Sequence, residues 1–166
     1  RLKEDGRAGV ILPDGFLFGN NVKNTLKKKL LEEFNLHTII RLPHSVFAPY
    51  TGIHTNILFF DNTKKTESTW FYRLDMPEGY KKSEHFNPVR EWWENREEII
   101  IDNFPKAKKF TPSELAELDY NLDQCGFPQE VEEILEPMEL ISKYNAERKE
   151  LNEKIDSVLA EIMKLL

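Results

Sequence analysis

GRAGVILPDGFLF, residues 6–18, and FAPYTGIHTNILFFD, residues 47–61, decide how this chain reads. Each joins a short, fully apolar run to a turn-forming or polar, aromatic-bearing loop. An apolar run bounded by turn signals is the pattern of a strand buried on both faces. In the first segment Pro13, Asp14 and Gly15 end the strand that begins at Ala8: proline fixes φ, and glycine admits φ above zero. In the second, a loop from Pro43 to Thr55 precedes a strand from Asn56 to Asp61. That loop shows no periodicity, and structureless connections of about a dozen residues are uncommon unless functional. Both segments are expected to deliver loops to the end of a sheet, where open α/β sheets build their sites.

Outward from these two segments, Asn20 or Asn21 caps a predicted helix that runs to about Phe34, with Val22, Leu26, Leu30 and Phe34 as its buried stripe and Lys27, Lys28 and Lys29 mostly outside it. Asn35 suits a left-handed C-terminal cap, and His37 to Leu42 is the next strand. Thr69 to Leu74 reads as an aromatic-rich edge strand. From Met76 the character changes: Asn87 and Pro88 open a helix carrying Trp92 and Trp93, and Thr111-Pro-Ser-Glu114 is a capping box for a short helix to Leu118. Pro137 is expected to split the remainder into a short helix and a long one. The long one carries Ile141, Tyr144, Leu151, Ile155, Val158, Ile162 and Leu165 at three-four spacing, interrupted at Arg148. A seam of that kind has to be buried against something.

The 166 residues leave room for one domain with a core, or a partial domain with an appendage. The chain opens on Arg1, and it is expected to be a fragment of a longer protein. With 40% hydrophobic and 31% charged residues it has an ordinary soluble composition, and no apolar stretch approaches membrane-spanning length. The single Cys125 excludes an internal disulfide and fits a reducing cytoplasm. A net charge of −6 argues against a basic nucleic-acid-binding domain by overall balance. His37, His44, His54 and His85 lack metal-ligand spacing, and the three tryptophans read as packing.

The two quoted segments, in this order and with Tyr120-Asn-Leu-Asp123 downstream, resemble the second half of the catalytic domain in the modification (M) subunit of type I restriction-modification systems, which are N6-adenine DNA methyltransferases. The resemblance implies an α/β fold, namely the later strands of a partial Rossmann-like methyltransferase sheet, with flanking helices and a long C-terminal helical arm. It implies three regions: the back half of the catalytic domain (1–75), a helical and loop extension (76–128) and a helical arm for subunit docking (129–166). The strand Asn56–Asp61 is expected to insert antiparallel beside Ala8–Pro13.

Two features of the family are missing. Asn87-Pro-Val-Arg90 lacks the second proline and the aromatic of the family's Asn-Pro-Pro-aromatic tetrapeptide, and Gly6-Arg-Ala-Gly9 precedes a strand where a cofactor loop follows one. S-adenosylmethionine is therefore expected to be bound mainly by an upstream part, and this chain alone is expected to be inactive. What remains is the other wall of the base pocket. Related enzymes stack an aromatic from the loop before the antiparallel strand on the extruded base, which here makes Phe47 the first candidate and Tyr50 the second. Thr51, Gly52, His54, Thr55 and Asn56 shape the loop. Read from the residues alone, Phe47 serves equally as core and Tyr50 as surface, and Asp14 as a turn residue. Implied partners are DNA, the specificity subunit on which the arm docks, and the restriction subunit; in an isolated fragment, self-pairing through the exposed seam of the C-terminal helix is the fallback. The rival readings are a non-catalytic assembly module, or part of a solitary adenine methyltransferase with a fused specificity region.

Overall fold

A computed structural model describes residues 2–18, 22–44, 46–77, 82–128 and 137–165. They divide into two compact units, Arg1–Pro128 and Gln129–Leu166. In the first, strands β1 (Arg7–Pro13), β2 (Asn35–Arg41), β3 (Thr55–Asp61), β4 (Thr69–Arg73), β5 (Ile99–Ile101) and β6 (Phe104–Phe110) form one sheet in the order β1-β3-β2-β4-β6-β5. Strand β3 runs antiparallel to both neighbours, pairing Leu12 with Asn56 on one side and Arg41 with Asn56 on the other. The expected insertion beside Ala8–Pro13 is therefore present. Strands β2 and β4 are parallel, so β1, β2 and β4 all point the same way.

Helix α1 (Val22–Glu33) follows β1, and its N-terminal cap at Asn20 or Asn21 lies outside the described residues. Its buried side chains are Lys27 and Leu31, whereas Val22 is 74% and Leu26 50% exposed. The expected stripe fails for a geometric reason. Positions four apart advance by roughly 40° on a helix, so a strict four-residue row winds off one face within three turns. The Lys27 stem is buried and its ammonium donates to the Leu17 carbonyl at 2.9 Å. Asn35 begins β2, in place of the expected helix cap, and its amide donates to Asp61 at 2.9 Å.

Region 76–128 holds more than helix and loop, because β5 and β6 extend the sheet. Asp102 and Asn103 both take positive φ (50° and 65°) between the paired Ile101 and Phe104, the two-residue turn geometry that suits tight hairpins. Strand β4 is consequently interior, flanked by β2 and β6, and not the expected edge. Helix α2 (Asn87–Glu94) covers one sheet face through Val89 and Trp92, packing with Ile40, Tyr72 and Ala107. The other face buries Leu36, Ile39, Leu58, Phe71 and Phe110 against Leu17, Leu31 and helix α3 (Pro112–Glu117). Thr111 caps α3 as expected, accepting from the Glu114 amide while Glu114 accepts from the Thr111 amide at 2.7 Å.

The second unit is dominated by helix α4 (Pro137–Leu165), about 44 Å long at 1.5 Å per residue. The short helix expected before Pro137 lies outside the described residues. Ile141, Tyr144, Leu151, Ile155, Val158 and Ile162 are each roughly half exposed or more. Among the described residues no helix is long and apolar enough to cross a membrane.

Candidate functional site

β1 and β2 flank β3 and end where it starts, so the turn after Pro13 and the loop from residue 42 to residue 54 share one end of the sheet. Both feet of that loop are pinned by backbone. The Leu42 amide donates to the Thr55 carbonyl at 2.9 Å, and the Asp14 amide donates to the His54 carbonyl at 3.1 Å. The Asp14 carboxylate adds a second layer. Its Oδ1 accepts from Asn56 Nδ2 at 2.6 Å, and its Oδ2 accepts from Arg41 Nη2 at 2.7 Å. The other arm of the Arg41 fork, Nη1, donates to Asp123. One guanidinium thus joins two carboxylates, the geometry arginine is built for. Burial lowers the Arg41 pKa from its usual value, and the adjacent Asp14 charge opposes that shift.

The segment after α3 crosses the same end of the sheet. The Leu122 amide donates to the Leu17 carbonyl at 3.1 Å, and Leu122 itself is fully buried. The Gly126 carbonyl accepts from Arg73 Nη1 at 3.0 Å. The Phe127 ring lies 5.5 Å from the His54 ring, and the Arg73 guanidinium is 5.7 Å from the Phe127 ring centroid. Cys125 is buried here, and that burial pushes its thiol up to about 11, so it is a packing residue with little thiolate to react.

Phe47 is half-buried against the cluster containing Leu42, Tyr72 and Leu74. Tyr50 is 93% exposed. Thr51 is half-buried, with its hydroxyl accepting from the Ile53 amide at 3.1 Å. His54 is half-buried between His44, 5.4 Å away, and Phe127. A β-carbon on Gly52 would stand 2.8 Å from His44 Nε2, so glycine lets the loop close on that ring. Thr55 and Asn56 are buried. The structure thus gathers Asp14, His54, Thr55 and Asn56, sets Phe47 at the margin of the core, and leaves Tyr50 reaching outward. Arg41 Nε, His54 Nδ1, Thr55 Oγ1 and Asn56 Oδ1, all at this end, are buried without a hydrogen-bond partner among the described residues. Buried polar atoms are nearly always hydrogen-bonded, so this cluster calls for partners beyond the described residues.

Arg41, Asp123 and Phe127 went unnoticed as site residues in the sequence. The signals available were weak: a cation ending an apolar strand, and the last acid of Tyr120-Asn-Leu-Asp123. At the opposite end of the strands a separate depression of about 490 Å³ is lined by Arg7, His37, Asp61, Trp93 and Arg96. Arg96 stacks 4.3 Å from the Trp93 ring there, and burial, then Arg96, lowers the His37 pKa. Among the described residues no group of His, Cys, Asp and Glu is arranged to hold a metal ion.

The family model for N-6 DNA Methylase matches residues 1–136. The type I restriction enzyme EcoEI methylase subunit of Escherichia coli is 41% identical over 163 residues, which is 92% of this chain and 33% of that protein. The crystal structure of a modification subunit of a putative type I restriction enzyme from Vibrio vulnificus YJ016 is similar with a TM-score of 0.58 and 42% identity, over 66% of this chain and 23% of that one. A chain from a structure of the type I R-M system, described for complex assembly and conformational transition, aligns over 99% of this chain and 37% of its own length, with a TM-score of 0.64 and 26% identity. The chain spans a third or less of the length of these curated relatives. With its model matched over most of the length and an α/β sheet like those of the modification subunits, the chain belongs to the N-6 DNA methylase family.

Proposed function

We propose that this chain is the part of an S-adenosylmethionine-dependent DNA adenine-N6 methyltransferase that forms one wall of the target-base pocket, within a cytoplasmic type I restriction-modification complex. The supporting observation is the loop between β2 and β3, held at both feet yet presenting Phe47 at the core margin and Tyr50 to solvent. Methylating the adenine amine requires taking the base out of the duplex stack, because its lone pair is delocalised and its edge is paired. A ring fixed beside the pocket offers the extruded base a stacking face. Phe47, steadied by its packing on the core, is the first candidate; Tyr50 on the rim is the second. Thr51 and His54 shape the loop, and Asn56, whose amide is committed to Asp14, supports it from beneath. Gly6-Arg-Ala-Gly9 leads into β1, where a cofactor loop would follow a strand, and Asp14 at the end of β1 is engaged by Asn56 and Arg41, so this chain is not assigned the main S-adenosylmethionine contacts. The methyl donor is assigned to the remainder of the protein. Stacking contributes about 1–3 kcal/mol per base, so Phe47→Ala or Tyr50→Ala in the complete enzyme should weaken trapping of the base by roughly 5- to 150-fold. Fluorescence of 2-aminopurine at the target position reads this out. Unchanged methylation and fluorescence in both variants would refute the assignment.

Helix α4 is proposed to dock on the specificity subunit, whose helices would cover the exposed seam of Ile141, Tyr144, Leu151 and Ile155. Paired copies of α4 are the fallback in its absence. Removing residues 142–166 should abolish co-purification with that subunit; undiminished recovery would exclude the docking role.

A further inference from the structure

We propose that Asp14 and Arg41 are positioning residues that set the direction in which the loop between β2 and β3 presents its rings. The inference rests on the base-wall reading of that loop and adds what holds the wall in place. A loop of this length that carries a stacking ring has to be fixed at both feet, since a displacement of about 1 Å at a reacting centre costs up to a hundredfold in rate. Asp14 touches both feet at once. Its amide holds the His54 carbonyl, its Oδ1 holds Asn56 just past the returning foot, and its Oδ2 holds Arg41 just before the departing foot.

Arg41 carries the fixation further. Because its second arm reaches Asp123, the segment that lays Phe127 beside His54 is tied to the same carboxylate. The arrangement is compact and mostly screened from water: the side chains of Arg41, Asp14 and Asp123 are 11%, 15% and 30% exposed. A guanidinium suits the role because its planar fork fixes the directions of the two acids from separate nitrogens, whereas an ammonium donates from one freely rotating atom and sets those directions less firmly. Neither residue needs to touch the base.

The test uses the complete modification subunit assembled with its specificity subunit, comparing Asp14→Asn and Arg41→Lys with the parent. The measurements are single-turnover methylation, affinity for S-adenosylmethionine and for DNA, and 2-aminopurine fluorescence at the target adenine. Asp14→Asn should lower the methylation rate about tenfold or more and reduce the fluorescence gain, with both affinities within about twofold of the parent. Arg41→Lys keeps the charge and the stem, and should show the same split in weaker form; it carries the test alone if Asp14→Asn does not fold. Rates and fluorescence within about twofold of the parent in both variants would overturn the proposal. So would rate losses matched by equal losses of cofactor and DNA affinity, which mark general damage. Phe47→Ala and Tyr50→Ala run alongside. If the ring variants lose base trapping and the clamp variants do not, the clamp falls and the wall stands. If only the clamp variants lose it, the wall reading falls, and with it the claim that Asp14 and Arg41 act by aiming the rings.

Discussion

Replacing Arg41 by Met should lower the unfolding free energy of the protein by about 3 kcal/mol, to be read by urea denaturation. The guanidinium bridges Asp14 and Asp123 from a position only 11% exposed, so its removal leaves two carboxylates facing the same space without a counter-charge. Stranding charges in this way typically costs about 3–5 kcal/mol, and the lower end applies because Asp123 is 30% exposed and partly screened. Met keeps the unbranched stem, which separates the electrostatic loss from a packing loss. The partners should also be coupled. Asp14→Asn in the Met background should cost less than in the parent, by about 1–3 kcal/mol in a double-mutant cycle. A change within about 0.5 kcal/mol for Arg41→Met would show that the bridge contributes nothing measurable.

The second large effect is in the sheet itself. Phe71 is 1% exposed, in a strand with neighbours on both sides, and its ring meets Phe110 edge-to-face at 5.4 Å. Phe71→Ala removes that contact and leaves a cavity between β4 and the elements packed on it, at a cost of about 3–5 kcal/mol. At about 2–4 °C per kcal/mol for a chain of this size, the thermal midpoint should fall by roughly 6–20 °C. Ile100→Ala, at a site 71% exposed, is the control and should stay within about 0.5 kcal/mol of the parent. A loss below about 1 kcal/mol at Phe71 would mean that the hydrophobic layer is not packed as described.

The part of the sheet around β1 and β3 was legible because both read as continuous apolar runs with turn signals beside them. Only β3 has the buried position such a run implies: β1 is an edge strand whose Val10 and Ile11 are 38% and 52% exposed. β6 was not legible. It carries Lys106, Lys108 and Lys109, of which Lys106 pairs with Asp75 at 2.9 Å and Lys108 and Lys109 lie over Phe110 and Trp70. Long cationic side chains lay their stems on a sheet while their heads stay wet, which hides a strand from any apolar count. Missing β6 also turned β4 into an edge. Lys27 was misread for a related reason, since no local pattern says that a backbone carbonyl waits for its ammonium. The loop and its rings were readable from composition and length. The clamp beneath was not, because Arg41 and Asp123 are 82 residues apart and meet only once the sheet has formed.

The most direct test is a structure of the complete modification complex bound to its target DNA, with the adenine to be methylated resolved. The expected result is an extruded adenine stacked on Phe47 or Tyr50 with ring centroids about 5 Å apart. An extruded adenine held by side chains from elsewhere, with both rings out of contact, would contradict it.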